Sequence, residues 1–557
     1  MSRAKRAAQH SRKLVLAFLI ALLGGTAGRA QSAAPPAAEA PKEAGRITPE
    51  QAGQLFGLID ELLKFSSQET GLPIHSGVKH QLTNRAAVES YLKKKFAADE
   101  DAKRLQSSEI VLKKMGLLER DFDLQPFLLA LLTEQIEAYY DAKTKTVSLL
   151  DWVDLEEQKP ALAHELTHAL QDQHASLDKW GDQTPSKVSR TASEDADHVA
   201  RDEMDTAREA VVEGQATAVM MDYILKPMDR SLLKDPEVVD ALRQQMNGGG
   251  DSPVMARAPL LLAQSLLFPY REGLSFTQDL WMDQGQAAAF VGAMDRPPSS
   301  SWEILNPREY EHRHAPPVPL LPNIHPLVDK LYKPYDIGQM GQLDVQILTT
   351  LFGGEQASSD LTPAWNGGVY WAGQLRSAKT AAEQASTKSL AFFYLSAWKN
   401  EASADAFAQV YAGNLGRRYS GLKDLPVPEE TGSRAQQDEQ AYSTNEGPVL
   451  IVTRGKLVFV AESFDLPLAR LLAELLLDTQ GTGELRTTQA MPPGGFAADR
   501  PRQTLSAGLI RFFSNCGVMK AAVHAGVTTP LAAIPPAPTA EWIDFHTEID
   551  PIRAPAK

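Results

Sequence analysis

The stretch LAHELTHALQDQH, Leu162–His174, constrains this chain more than any other. His164 and His168 are four residues apart, so on a helix they share a face and bring two imidazoles to one point. Zinc takes neutral imidazole nitrogen, and a catalytic zinc keeps three protein ligands and one open position. Glu165, next to the first histidine, is placed to take a proton from a water in that position. Leu162, Leu166 and Leu170 recur every four residues and give the helix an apolar face to bury. The motif therefore predicts a Zn2+ site with His164 and His168 as ligands and Glu165 as general base.

Two residues compete to be the third ligand. His174 follows His168 by six residues, the spacing of the metzincin motif. That motif needs a glycine three residues after the second histidine to turn the chain back, and here the position is Gln171. ALQDQH continues as helix, and six helical residues rotate about 240°, which points His174 away. The other candidate is Glu213, in AREAVVEGQATAVMMDY. A carboxylate inside so apolar a helix is costly unless it is paired, and a metal ion would supply the partner. Both stand at this point, with the chemistry favouring Glu213.

Composition narrows the setting. The formal net charge of -14 argues against nucleic acid or an anionic membrane surface as the main partner. Arg3, Lys5, Arg6, Arg12 and Lys13, then LVLAFLIALL, then small residues up to Ala30, read as an export signal over 1–30. The apolar run is too short to span a bilayer comfortably, and no later stretch is apolar enough for a membrane helix. The mature protein is expected in the periplasm or outside the cell. Cys516 is the single cysteine, so no internal disulfide is possible, and it reads as a buried packing residue.

The expected organisation is a Pro- and Ala-rich leader over 31–46, a catalytic domain over 47–335, a C-terminal α/β region over 336–528 and a poorly ordered tail over 529–557. Thr48 and Pro49 start a helix, and further helices run to about Tyr139. A hairpin with strands at Glu137–Tyr140 and Thr146–Leu150 precedes the motif helix, which is expected to begin near Pro160. A polar insertion follows over Ser176–His198, then a long helix that ends at Lys226-Pro227. NGGGDSP is a break. The segment from Asp295 to Asn323 is too polar and Pro-rich for a core element and reads as a linker or a loop lining a site. Beyond it, GGVYWAGQL and KSLAFFYLSAW read as strands, and GPVLIVTRGKLVFVAESF as a hairpin turning at Arg454-Gly455.

YYDAKTKTVSLLDW, LAHELTHALQDQH, VVEGQATAVM, FPYREGLSF and SSWEILNPREY together resemble a poorly characterised group of exported bacterial proteins with gluzincin-like zinc peptidase motifs. The resemblance covers roughly Ala138–Pro322, and HELTHALQDQ is its most specific block. It implies a zincin-like catalytic domain, with a small sheet before the active helix and a helical lobe after it, in an α+β, mainly helical protein. EGQA resembles the EGxA signature that carries the third ligand in gluzincin aminopeptidases, which points to Glu213. It also implies that an extended peptide or protein substrate pairs with the edge of the hairpin. Proteins of this type tend to have His where this chain has Asn306.

Supporting roles are assigned more loosely. Asp172, four residues after His168, is a candidate to accept from that ring's other N–H, and Glu209 a candidate neighbour of the metal ligands. Tyr310 is the residue chosen to donate to the developing oxyanion, with Tyr270, His312 and His314 as alternatives. The function expected is zinc-dependent peptide hydrolysis. The alternative is a zinc-containing but inactive relative that binds peptides or envelope partners.

Overall fold

A computed structural model of the chain describes residues 47–98, 100–181, 191–232, 235–246, 252–426, 438–480, 505–514, 519 and 523. The export signal, the leader, residues 182–190 of the polar insertion, the glycines of NGGGDSP, Cys516 and the tail lie outside the described residues.

Thr48 caps the first helix as expected: its hydroxyl accepts from Gln51 N, while the Gln51 side chain accepts from Thr48 N. Helix α1 (Pro49–Gly57) stops at Leu58, and α2 (Ile59–Thr70) continues to Gly71, whose φ of 73° ends it. Then come β1 (Lys79–Thr83), α3 (Arg85–Ala98), α4 (Glu100–Met115) and α5 (Leu124–Gln135). The hairpin β2 (Ala138–Asp141) and β3 (Thr146–Leu150) turns where expected, but the sheet has a third member. Strand β1 pairs parallel to β3, giving the order β1-β3-β2 and leaving β2 on an edge.

The motif helix α6 spans Leu155–Ala175 and so begins before Pro160. Pro160 sits inside its second turn, where its lack of an N–H removes one hydrogen bond without stopping the helix. Helix α7 (Ala192–Arg201) leads to α8 (Met204–Leu225), then α9 (Pro236–Met246) and α10 (Leu260–Gln284). FPYREG does not interrupt the chain: Pro269 lies within α10. A π-helical turn at Ala288–Gly292 follows.

The Pro-rich segment is part of the core, contrary to expectation. It forms α11 (Ser301–Leu305) and α12 (Pro307–Glu311), with Ser301, Ile304 and Tyr310 buried. Ser301 makes this possible, because its hydroxyl and N–H both bind the buried Glu203 carboxylate at the start of α8.

The remaining elements are β4 (Tyr332–Gln339), α13 (Gln342–Leu361, kinked at Gly354), β5 (Trp365–Leu375), β6 (Leu390–Trp398), α14 (Glu401–Arg418), β7 (Lys423–Asp424), β8 (Asp438–Ser443), β9 (Val449–Arg454), β10 (Leu457–Glu462), α15 (Leu466–Thr479) and α16 (Leu505–Ser514). The expected α/β region is instead an antiparallel sheet of order β4-β5-β6-β10-β9-β8-β7. Its first strand begins at Tyr332, before the boundary drawn at Asp336. Alternate residues of β6 enter different cores: Phe392 and Tyr394 join the core that includes Phe407 and Tyr411 of α14, and Phe393 and Leu395 the one that includes Leu472 and Leu476 of α15.

The described residues all belong to one compact unit, Ala44–Lys557. The fold is α+β and mainly helical. Among the described residues no helix is long and apolar enough to cross a membrane.

Candidate metal centre

Helix α6 is buried through almost its whole central length, including His164, Glu165 and His168. It packs on α8, which is buried on every side around Glu213. Two all-round buried helices side by side bring the polar atoms of both to one place. His164 Nε2 lies 3.0 Å from Glu213 Oε2, His168 Nε2 3.5 Å from the same oxygen, and the two Nε2 atoms 2.9 Å apart. Among the described residues this is the one group of three or more potential ligands gathered closely enough to hold a metal ion. Tetrahedral zinc with bonds of about 2.1 Å holds its ligand atoms ~3.4 Å apart, so the spacing fits that ion.

A third helix, α10, closes on α8 beside Glu213 because of two glycines. Gly214, beside Glu213, faces Gly273 in FPYREG, and a Cβ on either would fall about 2 Å from the other helix's backbone. The same contact carries Tyr270 to the site, where its ring stacks over His164 with centroids 6.1 Å apart. His164 Nδ1 is buried with no hydrogen-bond partner among the described residues, so packing and the Nε2 contact with Glu213 orient this ring.

The ring of His168 is fixed differently. Its Nδ1 lies 2.9 Å from Gln171 Oε1, not against Asp172. Asp172 is held on the other side, by the Tyr140 hydroxyl, Lys145 Nζ and the N–H of Leu177. Gln171 Nε2 donates to Val212 O and to Gln215 Oε1, and Gln215 Nε2 donates to the carbonyls of Ala289 and Phe290.

The electrostatics are those of a tightly coupled group. Burial lowers His164 to about 4. Burial also opposes charge on His168, but the Glu213 and Glu165 carboxylates override it and raise the ring to about 9. Burial would raise Glu213, yet the two histidines hold it down at about 2. At neutral pH the metal-free group is therefore an ionised Glu213 beside one imidazolium and one neutral imidazole.

The other expected residues are placed elsewhere. His174 remains helical and pairs with Asp295 Oδ1 at 2.9 Å, outside the group. The Tyr310 hydroxyl donates to Arg296 O at 2.7 Å, and the Arg296 guanidinium stacks on its ring, so this O–H is committed away from an oxyanion. His312 and His314 are exposed on the following turn. Glu209 is half-buried, near Gly181. Asn306 donates to Trp302 O and Gln342 Oε1, tying α11 to α13. Sequence reasoning missed Gln171 and Gln215, although both lie inside the quoted motifs.

No family model, curated protein or solved structure matches the chain.

Proposed function

We propose that the chain is an exported, zinc-dependent peptidase of gluzincin-like type, with a zincin-like catalytic domain. The observation that carries this reading is the convergence of His164, His168 and Glu213, from two helices, beside the buried Glu165. His164 and His168 each present Nε2, and Glu213 presents Oε2, as the three protein ligands. Zinc, when bound there, supplies a Lewis acid for the scissile carbonyl and brings the pKa of water to ~7. Glu165 follows the first ligand on the same helix, and its carboxylate accepts the proton of the attacking water and returns it to the leaving amine. Strand β2 offers its outer edge to an extended peptide or protein substrate.

One observation favours a second reading, a zinc-containing but inactive protein that binds peptides or envelope partners. Glu165 and His164 are fully buried, and His168 keeps only 7% exposure, so water and substrate reach this conformation poorly.

Elemental analysis of the protein with Glu213→Ala beside it, and a peptide-library cleavage assay with Glu165→Gln, separate the readings. The peptidase reading expects about one zinc per chain, lost in Glu213→Ala, and cleavage abolished by Glu165→Gln. Zinc without cleavage selects the inactive reading. A chain that takes up no zinc removes both.

A further inference from the structure

Gln171 stands where a metzincin-type chain turns back, and the structure gives it another task. It is fully buried, as is Gln215 one helix away. A primary amide has two N–H donors and a carbonyl acceptor, and the surroundings of these two amides admit one arrangement. Both donors of Gln215 are taken by the carbonyls of Ala289 and Phe290, at 2.8 and 2.9 Å. Its Oε1 must therefore face Gln171. Both donors of Gln171 are taken by Gln215 Oε1 and Val212 O, at 2.9 and 3.0 Å. Its Oε1 must therefore face His168, and the Nδ1 that meets it must carry hydrogen. Every hydrogen of these two amides has an acceptor, and reversing either amide would set oxygen against carbonyl oxygen.

The relay starts in a π-helical turn, Ala288–Gly292. Such turns carry an i→i+5 pattern and are often found at functional sites. Here two consecutive carbonyls of the turn are aimed at one side chain. The relay ends at a ring nitrogen whose partner, Nε2, faces Glu213 and His164.

We propose that Gln171 and Gln215 form a positioning relay through which the π-turn Ala288–Gly292 fixes the tautomer and orientation of His168 as a metal ligand. The proposal rests on the metal-site reading given above. Gln215 acts through Gln171 and has no hydrogen bond to any of the three ligands. The acceptor on His168 is a neutral amide in place of the carboxylate or carbonyl that commonly fills this place. A carboxylate at 171 would set an oxygen against Val212 O, so this relay works only with amides.

The test uses the full chain with Gln171→Leu, Gln215→Leu, the volume-matched Gln215→Met and the double Gln171→Leu/Gln215→Leu. Zinc affinity is read by competition with a chromophoric chelator, and ligand geometry by the visible absorption of bound Co2+. The relay expects each single variant to lose about 10- to 100-fold in zinc affinity. It expects the double variant to lose no more than Gln171→Leu alone, and the Co2+ bands to move in both Gln215 variants. Wild-type affinity and spectrum in folded Gln215 variants would overturn the relay while leaving the metal site standing. If those variants do not fold, a crystal structure of the zinc-loaded wild type decides: His168 Nδ1 on Gln171 Oε1 upholds the relay, and Nδ1 on any other acceptor overturns it. A wild type that binds neither metal removes the site and the relay together.

Discussion

Gly214 of α8 and Gly273 of α10 meet backbone to backbone: a Cβ on Gly214 would lie 2.2 Å from the carbonyl carbon of Gly273. Neither partner is a flexible side chain, so the helices themselves would have to part. Gly214→Ala is expected to cost about 3 kcal/mol or more, at the upper end of overpacking effects. It should also lower metal content, because Glu213 is the adjacent residue. Denaturant unfolding with elemental analysis checks both, and unchanged stability would mean that the close approach is dispensable.

His174→Ala should keep the metal. The side chain is only partly covered and its partner Asp295 is exposed. An ion pair of that kind contributes about 0–1 kcal/mol. The expected result is wild-type zinc content and a stability loss under about 1 kcal/mol. Loss of zinc in this variant alone would restore the metzincin spacing.

Zinc uptake should release about one proton near neutral pH. His168, raised to about 9, must give up its proton to act as a ligand, while His164, lowered to about 4, and Glu213, at about 2, are already bare. Affinity should therefore climb roughly tenfold per pH unit between those two histidine values and level off above the higher. Calorimetry in two buffers of different ionisation enthalpy measures the proton count, and a count near zero would contradict it.

Glu203 sets a pH dependence of stability. Burial and the nearby Asp344 and Asp202 raise its carboxyl from 4.5 to about 8, against the hydrogen bonds from Ser301. Between those values the folded protein keeps a proton that the unfolded chain releases. Its contribution is therefore complete below the unfolded value and is lost as pH rises towards about 8. Glu203→Gln should flatten the loss between about pH 6 and 8, above the range where Asp344, raised to about 6, titrates. Urea unfolding at the two pH values reads the slope, and an unchanged slope would place its origin elsewhere.

Elements with a strong local pattern were legible in the sequence. The β2–β3 hairpin, the turn at Gly455 and the end of α8 at Lys226 fall where apolar alternation, glycine and proline put them. Strand β1, KHQLT, was not legible, because it is polar and half open to solvent and is a strand only through pairing with β3. Strand β4 hides behind Pro334 and a register shift beside it. Within the metal centre, spacing located His164 and His168, and the expense of a buried carboxylate located Glu213. The partner of His168 was misread because charge favoured Asp172. Tyr140 of β2 and Lys145 of the hairpin turn claim that carboxylate, and the neutral Gln171 is chosen by the direction its side chain takes from the helix. Glu203 and Ser301 had no signal, since their pairing depends on how α11 packs against the start of α8.

His164 and Glu213 are 49 residues apart in the chain, yet their ligand atoms touch. A metal ion joining them would find no formed site in the unfolded chain, so its binding free energy would add to the stability of the fold. At a free ion concentration of about 1,000 times the dissociation constant, that is worth about 4 kcal/mol. A protein whose only cysteine is Cys516 has no internal disulfide. The ion would then act as its staple, and chelation would loosen the whole chain as well as disarm the site.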